Sequence, residues 1–437
     1  MPDRPPSLLR RFRGAAAATA DRLWRWGLVL AEFTLVQLMV QAIGMVAGLI
    51  VVRSLAKHDY AYYTIATTTL AALFSLSNSG VTFAASAIGG RVWQDPRRLG
   101  QMVVTAFRAS RWTTALAIVP LLGMLGWLLR QNGAPPLVLA PLVVLVAGGA
   151  MAQLRTAILV TVPRLQREFR LLQKVDLGAT SARLVLLAAA AVIYIDATVA
   201  LLFTVLVGVG QWRFMRRWVG RTVPLTEAPD PAMAGEIRHV IRRQWLNDAY
   251  YAFYGQISVL LLSIFGTPDS VADLGALGRL GTVFVALGAT MQAVVLPAYA
   301  RCQDPRRLLQ LYAQIVGAIV AIALVPVLAV LVAPAPLLWL LGAKYAHLSH
   351  ELLLMAFAAG MSVISGALGQ LHLVRGWIVP GWITVPIAAA SQILLIVAIG
   401  PTTLDRVLWM SILSYVPFAL LSAVATAWFW KRRLGTA

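Results

Sequence analysis

Apolar residues run through this chain in long blocks, with polar positions as punctuation between them. A helix needs about 20 predominantly apolar residues to cross a bilayer. Stretches near that length fall at 29–52, 61–88, 112–129, 135–154, 176–195, 197–212, 244–266, 272–299, 311–333, 351–373, 379–399 and 407–429. The pattern predicts an all-α membrane protein of about twelve transmembrane helices. The fifth and sixth stretches meet at Ile195-Asp196-Ala197, which leaves room only for a tight turn.

Composition strengthens that reading. Of 437 residues, 59% are hydrophobic and 12% charged, against about 25% charged in an ordinary soluble domain. So few charges cannot cover a water-facing surface of this size. The net charge of +20 would in a soluble chain point first to nucleic acid. No basic stripe interleaved with aromatics accompanies it, so no nucleic-acid partner is expected.

The basic residues instead report orientation. With the N-terminus inside, the inner segments hold Arg4–Arg25, Arg91–Arg111, Arg155–Lys174, Arg213–Arg243, Arg301–Arg307, Arg375 and Lys431–Arg433, thirty of the 37 in all. Five fall outside (Arg53, Lys57, Arg130, Lys344, Arg406), and Arg183 and Arg279 lie within spans. Cytoplasmic loops collect Lys and Arg, so both termini are expected in the cytoplasm. Residues 1–26 carry Asp21, Arg22 and Arg25 where a signal peptide would be apolar. They read as a basic interfacial segment resting on membrane lipids.

The lone Cys302 excludes an intramolecular disulfide and a thiolate metal cluster. His347-Leu348-Ser349-His350-Glu351 reads as a solvated loop better than as a metal site. No cofactor and no metal is expected.

The chain also repeats itself. Gln94-Asp95-Pro96-Arg97-Arg98-Leu99 recurs as Gln303-Asp304-Pro305-Arg306-Arg307-Leu308, each copy between the second and third spans of its half. Six spans per repeat return each half to the same side, so the lobes relate by a pseudo-twofold axis along the membrane normal. Parallel repeats of this kind belong to transporter architectures, with the substrate between the halves. The expected lobes are 27–212 and 244–437, joined by a cytoplasmic linker at 213–243 that contains Pro224, Pro229 and Pro231.

Polar residues at membrane depth are costly and mark candidate function. The first span carries Glu32, Gln37, Gln41, Gly44 and Gly48, of which the last four share one helical face. Its counterpart, the seventh, opens with Asn247-Asp248-Ala249-Tyr250-Tyr251 and continues to Tyr254 and Gln256. The hydroxyl stripe of the second span (Thr64, Thr68, Ser75, Ser79, Thr82, Ser86) serves helix packing as readily as a cavity. Arg279 has no acid at helical spacing, so its guanidinium must find another helix, a lipid phosphate or a cavity. Arg183 sits two turns inside the inner surface, within snorkelling reach of it. Arg53 and Lys57 are explained by interface anchoring or by contact with a phosphate. Together these types suit an amphipathic anion. Arg279, Arg183 and Arg53 would hold its phosphates in planar forks, while Gln37, Gln41, Tyr251 and Tyr254 would meet sugar hydroxyls. Glu32 and Asp248 would couple transport to a proton or sodium gradient.

Three segments resemble the polysaccharide flippases of the multidrug/oligosaccharidyl-lipid/polysaccharide exporter superfamily. Arg53-Ser54-Leu55 with Asp59-Tyr60-Ala61-Tyr62 is similar to the family's turn between the first two spans. Leu341-Gly342-Ala343-Lys344-Tyr345 resembles its loop before the tenth, and Pro297-Ala298-Tyr299-Ala300 with Asp304-Pro305 its end of the eighth. The resemblance implies twelve core helices in two lobes and an alternating-access cavity in a bacterial cytoplasmic membrane. It also implies a lipid-linked oligosaccharide on undecaprenyl diphosphate as cargo, with glycan-assembly proteins as partners. The competing readings are a cation-coupled drug or metabolite exporter of the same superfamily and a membrane glycan polymerase or glycosyltransferase. The enzyme reading is the weaker, because the outer acids are dispersed and no Gly-rich phosphate loop occurs.

Overall fold

The protein is seen in a computed structural model that describes residues 35–281, 296, 299, 305–375 and 381–434. The expected interfacial segment 1–26, Glu32 and Cys302 lie outside the described residues. The first lobe contains α1 (Leu35–Ser54), α2 (Lys57–Ser77), α3 (Val81–Val92), α4 (Pro96–Gln131), α5 (Pro136–Leu165), α6 (Phe169–Ile193) and α7 (Ala197–Thr222). Then follow α8 (Pro231–Tyr254), α9 (Ile257–Phe265) and α10 (Pro268–Leu280). The remainder is α11 (Pro305–Val332), α12 (Pro334–Leu341), a 3-10 turn (Ala343–Tyr345), α13 (Ser349–Val374), α14 (Gly381–Ile399), α15 (Leu404–Leu413) and α16 (Tyr415–Leu434). Among the described residues, nine helices are long and apolar enough to span a membrane, ten with α2 and α3 taken as one bent span. The chain is a multi-pass membrane protein, and below "inner" denotes its arginine-rich end.

Local chemistry places the boundaries. Asp95 caps α4 by accepting from Arg97 N at 2.9 Å, and Pro96 fills the first helical position, where a missing N–H costs nothing. Asp196 caps α7 at Val199 N (2.7 Å), making the tight turn expected there. Asp230-Pro231 opens α8 in the same way, with Ala232 N at 2.8 Å. The repeated Gln-Asp-Pro-Arg-Arg-Leu segment starts α4 in one half and α11 in the other, and its leucines, Leu99 and Leu308, are both fully buried. The helices outrun the apolar stretches at their inner ends: α4 has 36 residues, about 54 Å at 1.5 Å each. Of the expected linker 213–243, only 223–230 is non-helical.

One apolar core fills the outer half and draws on both lobes, Tyr60, Leu125 and Leu142 packing in one cluster with Leu277, Leu341, Leu352 and Val407. In the inner half the described residues fall into two clusters. Val81, Met102, Ile158, Val219 and Ile237 form one cluster, and Tyr299, Leu308, Ile315 and Leu371 a separate one. Two breaks shape the seam between the lobes. At Asn78–Gly80 the second span bends by 43°. Gly80 holds φ +64°, and a Cβ there would lie 3.2 Å from the Ile241 backbone of α8, so only glycine serves. The other break, at Gly255-Gln256, separates α8, which packs on α2, α3 and α4, from α9, which packs on α10 and α15 as well as on α2 and α4.

Candidate functional site

The lobes are fastened at the outer end by the crossing of α2 and α10. A Cβ on Gly275 would sit 2.4 Å from Thr64 Oγ1, so the two backbones approach as closely as glycine allows. Thr64 is itself fixed by donating to Tyr60 O at 2.8 Å. Above the crossing, Lys57 Nζ pairs with the buried Asp273 at 2.9 Å. Arg53 donates Nε to Leu340 O at 2.9 Å and Nη2 to Trp339 O, with its guanidinium 4.8 Å from the Trp339 ring. These carbonyls end α12, where a helix carries partial negative charge. Lys344 closes the ring by donating to Arg53 O at 3.2 Å and to Leu55 O. On the other side of the seam, Gln131 and Asn132 donate to Ile264 O and Ser263 O, both at 3.0 Å. Burial pulls the Lys344 ammonium below its usual range, with the Lys57 charge adding to the effect, and burial pushes the Tyr345 phenol up.

Arg279 lies directly beneath this seal. Its position on α10, eleven residues past Pro268, puts its Cα about 16 Å below the outer end of that helix. Its Nε donates to Tyr60 OH at 3.2 Å, and its guanidinium lies 5.8 Å from the Tyr63 ring centroid. Of the three partners expected for it, another helix supplies at least one, through a phenol and a π-face. Gly48 makes room: a Cβ there would lie 3.2 Å from Arg279 Cδ. Four residues earlier, Gly44 faces Thr180 of α6. The face of α1 that carries Gln37, Gln41, Gly44 and Gly48 therefore looks onto α6 and α10, and both glutamines are half-buried on it.

Arg183 follows Thr180 by one turn. Because α6 begins at Phe169 rather than near 176, Arg183 lies about 21 Å from the inner end and 15 Å from the outer end, at mid-depth. Its Nε is shielded and has no hydrogen-bond partner among the described residues. Arg53, by contrast, is engaged on the outer rim.

On the inner side, Asp248 accepts from Ser79 Oγ at 2.9 Å, inside the break that bends α2 from α3. Tyr250, Tyr251 and Tyr254 form one aromatic cluster, with Tyr250 and Tyr254 stacked at 5.7 Å. Tyr254 OH meets Ser414 Oγ at 2.9 Å, and Ser258 meets Ser411 at 3.0 Å, so the α8–α9 break lies on the α15–α16 break. Tyr251 is exposed. His347 and His350 face Asp273 (4.0 Å) and Asp405 (3.0 Å) respectively, and no metal-binding cluster occurs among the described residues.

The arrangement is a seam sealed at one end, with Arg279 beneath the seal and the amides of α1, the phenols of α8 and Asp248 nearer the inner end. Reading the sequence missed Tyr60, Tyr63, Asp273 and Tyr345 as parts of the seal. The signal was present as two short motifs, one beginning at Arg53 and the other ending at Tyr345, but nothing in either announced that they meet.

No protein-family model matches the chain, and no curated protein matches it by sequence. Solved structures do. The lipid II flippase MurJ in its inward closed conformation matches with a TM-score of 0.68 at 10% identity, over 90% of this chain and 87% of that one. The inward-facing conformation of a multidrug resistance MATE family transporter of the MOP superfamily gives 0.65 at 17%, over 92% and 98%. The outward-facing conformation of a transporter so described gives 0.58 at 16%, over 93% and 96%. At such identities the likeness is one of fold: twelve transmembrane helices in two six-helix lobes.

Proposed function

We propose that the protein is a transporter that flips a lipid-linked oligosaccharide, carried on undecaprenyl diphosphate, from the inner to the outer leaflet of a bacterial cytoplasmic membrane by alternating access. The observation that carries this reading is the division of the core: among the described residues one packed interior at the outer end draws on both lobes, whereas at the inner end α8 joins the first lobe in one cluster and the second lobe forms another. A body fastened at one end of its seam is the inward-facing half of such a cycle. Arg279 and Arg183 lie at the depth a diphosphate must pass, where a guanidinium fork offsets the loss of hydration. Gln37, Gln41, Tyr251 and Tyr254 offer hydrogen bonds to sugar, and Asp248 and Glu32 would exchange the coupling proton or sodium ion. Lobes at 27–212 and 244–437, both termini cytoplasmic, and contacts with glycan-assembly proteins complete the proposal.

The test is delivery of an undecaprenyl-diphosphate oligosaccharide by the purified protein in proteoliposomes. Arg279→Ala and Arg183→Ala should each lower it about tenfold or more, as expected for loss of a charge-assisted bond at low dielectric. Asp248→Asn should remove its dependence on an imposed ion gradient. Wild-type delivery from both arginine variants would remove them from the anion path. The fold likeness to MATE transporters, over as much of the chain, favours a second reading as a cation-coupled exporter of smaller amphipathic compounds. Gradient-dependent efflux of such compounds, with no glycan delivery, would select it.

A further inference from the structure

At the inner end of the first lobe, away from the seam residues above, a cleft of about 860 Å³ opens between α4, α5 and α7 and is flanked by Leu225 and Pro229 of the linker. Four arginines line it: Arg108 and Arg111 of α4, Arg155 of α5 and Arg216 of α7. A second cleft, of about 470 Å³, shares Arg108 and Pro229 and adds Arg238 and Arg242 of α8. None of these six forms an ion pair among the described residues. Asp230, the one acid in either lining, has its carboxylate on the N-terminus of α8.

Depth distinguishes this cleft from an ordinary basic fringe. Arg111, Arg155 and Arg216 each stand about 20 residues, roughly 30 Å, from the outer end of their own helix. That length matches the hydrocarbon thickness of a bilayer, so three different helices bring guanidinium groups to the level of the inner-leaflet phosphates. On the outer side of that level the lining is mostly apolar, with Ala115, Ile118, Met151 and Leu154 beside the hydroxyl of Thr114. Trp212 holds Arg155 across its face at 4.9 Å and lies 6.0 Å from the Arg216 guanidinium carbon. Arg213, Arg217 and Arg221 of the same α7 are also exposed yet line neither cleft. The positive-inside tendency accounts for arginines at this end. It does not account for their convergence, without acids, around a recess with a hydrocarbon floor.

We infer that this cleft binds the phosphate headgroup of an anionic inner-leaflet lipid, with the acyl chains lying along Ile118, Met151 and Leu154. Basic pockets between helices on the cytoplasmic side suit such headgroups, and Arg matches phosphate oxygens in bidentate fashion. The inference does not depend on the transport reading. Two lipids carry the required chemistry, a resident phospholipid and a polyprenyl phosphate, and the experiment separates them.

The delipidated full chain is titrated with dioleoylphosphatidylglycerol, undecaprenyl phosphate and dioleoylphosphatidylcholine, with bound lipid counted by native mass spectrometry. Arg111→Gln/Arg155→Gln/Arg216→Gln should weaken phosphatidylglycerol binding about tenfold or more. Arg213→Gln/Arg217→Gln/Arg221→Gln, which removes equal charge outside the cleft, should change it less than about twofold. Equal loss in both triple variants, or none in the first, overturns the site. Undecaprenyl phosphate that competes at a tenth of the phosphatidylglycerol concentration assigns the cleft to the polyprenyl lipid; weaker competition assigns it to phospholipid. Saturable binding of neither anion, or equal binding of phosphatidylcholine, also overturns it. If the triple variant does not fold, Arg155→Gln alone must reduce the thermal stabilisation given by phosphatidylglycerol, and unchanged stabilisation counts against the cleft.

Discussion

The outer and inner ends of this molecule are built from the same helices and held in opposite ways. At the outer end, aromatic and aliphatic side chains from both lobes merge into one core, and several polar groups above it have partners across the seam: Arg53 with α12, Lys57 with Asp273, Asn132 with Ser263. At the inner end the described residues form two cores, one of the first lobe with α8 and one of the second lobe, and Arg108, Arg111 and Arg216 stand exposed without acids among the described residues. The contrast teaches where conformational freedom is stored. Breaking the outer end must undo apolar packing and a polar ring together, whereas at the inner end the two described cores are held across the seam through α8 alone, with Asp248 on Ser79 and Ile241 against Gly80.

The largest expected effect comes from the α2–α10 crossing. Gly275→Val places atoms where Thr64 already lies, and overpacking of this kind costs about 1–3 kcal/mol. The outer seal should open in the resting protein, seen as labelling of a cysteine placed at the buried Ala61 by an outside-only thiol reagent, with the proposed transport falling by a similar factor. Thr64→Ala in the same chain should restore part of both; labelling unchanged by Gly275→Val would show that the crossing does not hold the seal.

Next is the ring above it. Lys57→Met or Asp273→Asn alone leaves its partner poorly paired, and each should loosen the seal by about 1–2 kcal/mol, the pair being only partly buried. The double variant should lose less than the sum of the singles. Strict additivity in a double-mutant cycle on the labelling rate would mean the two charges do not act together.

The smallest effect is a pH response. Burial holds Lys344 below the usual lysine range in the sealed state, the charge of Lys57 adding to the effect, while an opened rim would return it towards about 10.4. Between those values the sealed state binds fewer protons. The cost of burying the ammonium is thus full below the lowered value and relieved as pH rises, so rising pH favours closure. Labelling of the cysteine at Ala61 should slow modestly from pH 8 towards 10, after correction for reagent chemistry, and Lys344→Arg should abolish the trend. A rate that rises with pH would reverse the assignment.

Much of this was legible in the sequence, and the limits have physical causes. Hydropathy found the spans because lipid tolerates little else, and the shared face of Gln37, Gln41, Gly44 and Gly48 follows from helical period alone. Helix ends were less legible: α4 and α7 continue past their apolar stretches on arginines and interfacial tryptophans, good helix residues that hydropathy scores as loop. The depth of Arg183 was underestimated for that reason, since α6 starts earlier than its apolar run. The bend at Asn78–Gly80 was foreshadowed by the local polar run, but nothing local showed that α8 would lie against it. The seal was least legible, because Arg53 and Trp339 are far apart in the chain and only the fold brings them together. Family-like motifs marked both halves of the seal without indicating that they were halves of one structure.

Distances across the two ends of the seam decide whether the lobes are fastened outside and separable inside. After Cys302→Ser, spin labels at Ala56 and Ala346 report the outer gap, and labels at Ser86 and Val374 the inner one, by double electron–electron resonance. The outer pair should give a short, narrow distance in the resting protein and the inner pair a longer, broader one, the two exchanging when an undecaprenyl-diphosphate oligosaccharide and an ion gradient are supplied. Inner and outer distances that are both narrow, and both unmoved by substrate and gradient, would contradict that arrangement.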